Sequence, residues 1–379
     1  MARSLLQRRP DSGLGNLRSS PADPSRNIDW TLMACQVALT VIGCFVVYSA
    51  TRNGDDIDPY LFVTRQVIFA IAAAVVMVVV MVFDYEFWRE HWKPLLIALL
   101  ASLAFLVAAG GIAFDFGPIR VQPAEIAKFV ALVALCAHLV DERSDEVSYP
   151  RFLGGLLIVG TPTVLIVAQP DLGSATVLLA MAMGVLLVAG AKFRYIVTIS
   201  FLSLLTIGAA FVGNFVNNYQ LDRVRVFFDE DNPDLQDQVY QVRNAVRALG
   251  TGGLFGKGWL QGPLTNGGDI PVMHADFPFA AVGEQFGLIG CAALLLLFVV
   301  ALVRIWRIAH LSRDLLGTYL CAGVFTMLLW QVFQNVGMTM KIMPVTGLPM
   351  PFISYGGSGI ITWFALFGLV QSVHMRRMR

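Results

Sequence analysis

VIFAIAAAVVMVVVMVF, residues Val67 to Phe83, is the stretch from which the architecture is read. No charged or polar side chain interrupts it, and it lies within a longer apolar run near 63–85. A helix of about 20 such residues crosses a bilayer. On either side of it the same reading recurs, near 29–51, 93–114, 123–141, 152–169, 171–190, 193–216, 276–308, 316–340 and 356–375. Only Gln169-Pro170-Asp171 parts the fifth run from the sixth, and the eighth is long enough to tilt or project past the membrane. The runs predict an all-α, polytopic integral membrane protein of about ten transmembrane helices. Composition agrees: 56% of the 379 residues are hydrophobic and 14% charged, against about 25% charged in soluble domains. A secreted disulfide scaffold, a basic nucleic-acid binder and a disordered regulator are excluded.

Charge placement sets the expected orientation. With the N-terminus in the cytoplasm, one side collects the tail arginines, Arg89, Lys93, Arg143, Arg151, Lys192, Arg194, Arg304, Arg307, Arg313 and Arg376 to Arg379. The short loops of the other side hold Arg52, Arg65, Arg120 and Lys341. This asymmetry places both termini in the cytoplasm. Residues 1–28 read as a disordered cytoplasmic tail, 29–375 as the membrane domain and 376–379 as a second short tail. One large extracytoplasmic loop, 217–275, remains. Within it Val239, Val242, Val246 and Leu249 recur at helical spacing opposite Gln238, Gln241, Asn244 and Arg247, with Gly250 as a stop. They predict an amphipathic helix at the membrane surface. The glycine-rich stretch Gly250 to Trp259 lacks the spacing of a phosphate-binding P-loop.

The five cysteines fall in apolar runs without a CxxC, and the five histidines form no HExxH, so a zinc enzyme is disfavoured. The informative polar groups are those at membrane depth, where they are expensive. Glu125 and Lys128 share a helix face behind Pro123; they read equally as a structural ion pair or as substrate contacts. Asp171 and Asp276 each open a span and each suits a helix cap. Asp276 also ends the glycine-rich loop, and Glu284 follows about two turns deeper. Pro344 to Gly357 is irregular backbone, tolerated at that level where it packs on protein or lines a cavity. With Arg120 and Lys341, these elements converge on one leaflet, where cations suit a pyrophosphate and a carboxylate suits proton transfer.

The motifs QPAEIAK (Gln122 to Lys128), QPDLG (Gln169 to Gly173), GGLFGKG (Gly252 to Gly258), HADFPFAAVGEQFG (His274 to Gly287) and NVGMTMKIMPVTGLPMPFISYGG (Asn335 to Gly357) closely resemble those of the RodA/FtsW (SEDS) family. The Gly-Met-Thr-Met wording is similar to the RodA branch. The resemblance implies a peptidoglycan glycosyltransferase of the bacterial plasma membrane. Such an enzyme joins lipid II disaccharides into glycan strands for cell elongation and shape, with release of undecaprenyl pyrophosphate. It also implies a class B penicillin-binding protein as partner and no nucleic acid. By the same resemblance Asp276 is the catalytic residue. Glu125 and Lys128 match the membrane-embedded pair, and Lys257, His274 and Ser354 lie in the shared motifs. With Arg120, Asp171 and Lys341 these are the candidate substrate-binding residues; a divalent cation, Mg or Mn, is the candidate cofactor. Val272, Ala275, Gln285 and Lys341 depart from the family's usual Glu, Thr, Glu and Gly, and the loop between the third and fourth spans is short. A lipid II flippase and a non-catalytic scaffold are the alternatives. The bias of polar clusters to the outer side favours the polymerase over a path through both leaflets.

Overall fold

The computed structural model describes residues 27–52, 60–117, 119–140, 147–195, 197–201, 225–227, 236–267, 270 and 273–378. Among them, eight helices are long and apolar enough to cross a membrane. They are α1 (Trp30–Thr51), α2 (Leu61–Val82), α4 (Trp92–Ala109), α5 (Pro123–Val140), α6 (Tyr149–Ala168), α11 (Pro278–His310), α12 (Leu315–Thr339) and α13 (Gly357–Met375). Helix α7 (Leu172–Val188) is apolar but shorter. The expected span at 193–216 lies outside the described residues from 202 onward, as does the expected tail up to residue 26. Short helices fill the connections: α3 (Tyr85–Glu90), α8 (Gln236–Thr251), α9 (Pro263–Asn266) and α10 (Met273–Asp276). The all-α expectation needs one addition. The third run stops at Ala109, where Gly110 turns left-handed, and a two-stranded antiparallel hairpin follows, β1 (Phe114–Phe116) with β2 (Ile119–Val121).

Helices α5 and α13 are buried along most of their length and form the middle of the bundle. Alanines make α5 narrow: Ala124, Ala127, Ala131, Ala134 and Ala137 are all buried. In lipid, burial from water does not drive helices together, so close approach over small residues supplies the attraction. Helix α2 packs against α13, and α11 and α12 pack against each other.

One end of the bundle is tied by charge. Asp29 caps α1 by accepting from the Leu32 N–H at 2.9 Å and receives the Arg304 guanidinium at 3.0 Å. Its backbone N–H and C=O are both bonded to the Gln371 amide, at 3.0 and 2.8 Å. Arg376 reaches Asp84 at 3.1 Å, and the Tyr85 hydroxyl donates to Asp314 at 2.7 Å.

The eighth run departs from a continuous tilted helix. At Gly287 the backbone of α11 takes φ 65° and ψ −162°, and the helix breaks. The strap Gly252 to Gly258 enters the break. Lys257 N–H and Gly258 N–H donate to the Glu284 and Gln285 carbonyls at 2.9 and 3.0 Å; Gly253 and Leu254 carbonyls accept from Leu288 and Ile289 at 2.9 and 3.2 Å. The helix's interrupted ladder is thus completed by the strap, as membrane burial requires. Gly256 permits it, since an added Cβ there would strike the Gln285 carbonyl. The amphipathic helix forms as expected at Gln236–Thr251, but its buried face is Val239, Val242, Ala245 and Ala248, with Val246 outward. It packs on α11, Leu249 lying against Gly283, so its apolar face meets protein rather than the membrane surface.

Candidate active site

At the end opposite the Asp29 cluster, a cavity of about 630 Å³ opens among α2, α5, α10, α12, α13 and the 344–356 segment. Arg120, Glu125, Asp171, Asp276 and Ser354 all line it. These five expected site residues, more than 200 positions apart at the extremes, therefore share one space.

Each is set by its element. Pro123 opens α5, which fixes Glu125 and Lys128 on one face in the first turns. Lys128 is fully buried; its ammonium donates to Glu125 Oε1 at 2.6 Å and to Gln331 Oε1 at 3.4 Å. The other Glu125 oxygen, Oε2, is buried at the cavity wall with no hydrogen-bond partner among the described residues. Asp171 is a helix cap, as expected, and it also lines the cavity. Its Oδ1 accepts from Ser174 N–H at 2.9 Å, capping α7, while Oδ2 takes the Gln122 amide at 3.0 Å. Arg120 stands on β2, exposed, 3.7 Å from Asp115. Its carbonyl accepts from Ser358 Oγ, which itself accepts from Gln122 N–H, so the hairpin is moored to the start of α13.

The irregular 344–356 segment is held by amides. Gln331 donates to the Pro349 carbonyl at 2.6 Å, Gln334 to Thr346 Oγ1 at 3.1 Å and Asn335 to the Leu348 carbonyl at 2.8 Å. Ser354 Oγ accepts from Met350 N–H at 2.7 Å, and Gln66 donates to the Ser354 carbonyl at 3.2 Å. Across the cavity, Asp276 ends the four-residue helix α10 and is half-buried. Its neighbour His274 sits between Phe62 and Tyr355, ring centroids 5.0 and 5.6 Å away. Burial there holds the imidazole below its ordinary pKa. The His274 carbonyl accepts from Tyr355 N–H at 2.9 Å.

Four expected residues are not on the cavity wall. Lys128 lies beneath it, behind Glu125 and Gln331. His274 is in the aromatic cluster, and Lys341 follows α12 in the left-handed region at φ 58°. Lys257 pairs with Glu284 at 3.9 Å. Glu284 is fully buried and accepts from Leu264 N–H at 3.1 Å and Thr265 N–H at 2.7 Å, anchoring α9 and the strap. The sequence reading missed the buried amides Gln331, Gln334 and Asn335. Their signal was available: polar residues at i, i+3 and i+4 in an otherwise apolar span.

No three His, Cys, Asp or Glu side chains come together as a metal-ligand group among the described residues. Of the cavity carboxylates, Glu125, Asp171 and Asp276 would hold a divalent cation with help from substrate phosphate oxygens or water.

Comparison with known proteins bears on the geometry just described. The model of the cell cycle protein family FtsW/RodA/SpoVE matches residues 29–379. The peptidoglycan glycosyltransferase MrdB of Escherichia coli (strain K12) is 32% identical over 362 residues, covering 93% of this chain and 94% of that protein. The crystal structure of the rod shape determining protein RodA from Thermus thermophilus superposes with a TM-score of 0.68 at 27% identity, covering 93% of this chain and 98% of the other. A chain from a peptidoglycan synthase complex that coordinates polymerization and crosslinking gives a TM-score of 0.74 at 28% identity, over 92% and 98%.

Proposed function

Because the chain belongs to the FtsW/RodA/SpoVE cell cycle protein family, we propose that its cavity binds lipid II and that Asp276 is the general base of glycan-strand polymerisation. The chain is a multi-pass membrane protein and a peptidoglycan glycosyltransferase. One observation carries the assignment of the site: a half-buried carboxylate, Asp276, and an exposed guanidinium, Arg120, line the same cavity.

The chemistry needs both. The acceptor sugar's 4-hydroxyl attacks the donor's anomeric carbon, a new C–O bond forms, and the bond to the pyrophosphate oxygen breaks with its electron pair. The α-linked donor becomes a β-linked product by a single inversion. The hydroxyl proton passes to Asp276, while the leaving pyrophosphate is already acidic and needs a cation rather than a proton donor. Arg120 is the cation suited to it on the cavity wall among the described residues. Lys128 is committed to Glu125 and Gln331, so its part is to hold the wall. A class B penicillin-binding protein is the proposed partner, supported by the likeness to a synthase complex. The likeness to bacterial relatives supports a bacterial plasma-membrane location, and the arginine asymmetry supports cytoplasmic termini with the cavity facing outward. The Gly-Met-Thr-Met wording and the RodA likeness support a role in elongation and shape.

Purified Asp276→Asn protein given lipid II should fold and form polymer about 10²–10⁴-fold more slowly than wild type. Wild-type polymer from a well-folded Asp276→Asn protein refutes the assignment.

A further inference from the structure

We propose that Asn335 is a positioning residue for Asp276, an inference that rests on the polymerase reading above. Helix α12 presents three buried amides on one face, Gln331, Gln334 and Asn335. The hydrogen bonds donated by the first two run to the 344–356 segment. Asn335 does something different. Its Nδ2 donates one hydrogen to the Leu348 carbonyl at 2.8 Å and the other to the Asp276 carbonyl at 3.0 Å. A side-chain NH₂ has two hydrogens, so both are committed. Leu348 and Asp276 both line the cavity, and Asn335 is fully buried behind them. One amide therefore clips the turn that carries the proposed base to the segment that forms another wall.

The turn needs such a clip. Helix α10 spans four residues, Met273–Asp276, too few to hold itself. Beyond it, Phe277 is buried and Pro278 opens α11 without an N–H to offer. A second bridge joins the same two segments, from Tyr355 N–H to the His274 carbonyl. The Asp276 turn is thus held at its start by backbone and at its end by Asn335. Losing the amide leaves two buried carbonyls without that donor and frees the end nearest the carboxylate. A shift of about 1 Å in a reacting group costs up to about 10²-fold in rate.

The test uses the full chain in nanodiscs, with Asn335→Leu, near the native shape, and Asn335→Ala; neither side chain can donate. Expected is a fall in kcat of about 10–100-fold with KM for lipid II within about twofold of wild type. In an Asp276→Asn background either substitution should add no further loss, because the group it positions is gone; a residue that merely supports the fold would multiply the defect. Wild-type kcat, a rise in KM that accounts for the loss, or a multiplied defect in the double variant overturns the inference. So does failure of both variants to fold, since Asn335 would then hold the fold and not the turn. Asp276→Asn alone separates the two claims: if it polymerises normally the polymerase reading falls, and if it is impaired while the Asn335 variants are normal, only this inference falls.

Discussion

Gly287→Ala tests the break in α11 and can be given a magnitude. The residue sits at φ 65°, ψ −162°, a region essentially confined to glycine, and placing alanine there costs about 1–3 kcal/mol. The new Cβ would strike the Gly256 amide nitrogen and the Leu254 carbonyl. Relief requires the strap to withdraw, and four hydrogen bonds of 2.9–3.2 Å hold it. Losing two of them at about 1 kcal/mol each brings the total to about 3–5 kcal/mol. Gly250→Ala is the matched control. It is exposed near the end of α8 with open space around its Cβ position, and helix propensity makes alanine neutral to about 1 kcal/mol better there. Thermal unfolding in detergent, followed by tryptophan fluorescence, should show Gly287→Ala melting well below wild type and Gly250→Ala at or above it. If the two variants melt together, the strap is not spliced into the helix and the reasoning fails.

Lys128→Met should destabilise the protein by about 3–5 kcal/mol, because it leaves the buried Glu125 carboxylate without its ammonium. Adding Glu125→Gln should restore much of that stability in the same melting assay, and a double variant as unstable as the single would disprove the pairing. The pH dependence of the melt tests His274. Its imidazole lies below the ordinary 6.5 in the folded protein through burial. The unfolded chain therefore binds the proton more readily, so stability is full above about 6.5 and declines as the pH falls toward the lowered value. His274→Gln should flatten that decline; an unchanged profile would show that another group causes it.

The spans were legible because their signal is local and redundant: Val67 to Phe83 is apolar whatever surrounds it. Asp171 was legible as a cap for the same reason, its partner Ser174 lying three residues on. The break at Gly287 was not, because it depends on a strap some thirty positions upstream whose carbonyls and N–H groups leave no mark on the apolar pattern. The face of α8 was misassigned by one step for a related reason: Ala245 and Ala248 are too small to register as apolar anchors, yet they let the helix approach α11 closely. Lys257 entered the candidate site through its place in the shared glycine-rich motif. Its distance from the cavity follows from Glu284, about two turns deeper than Asp276, which gathers the strap around itself. Charges drew attention in the sequence, while neutral amides hold the site.

The latch at Asp29 has a consequence for how the chain is made. Its carboxylate meets Arg304 only after 275 further residues, and its backbone meets Gln371 only after 342. At about 5–20 residues per second of synthesis, the second delay is roughly 17–68 s. Until Arg304 is made, α1 starts at a carboxylate with neither partner available, and a bare charge resists being drawn from water. Helix α1 is therefore made long before it is locked, and closure of the bundle waits for the ribosome to finish α13. Nascent chains halted before residue 371 should leave α1 free to exchange with neighbours, a window in which a membrane chaperone has something to hold.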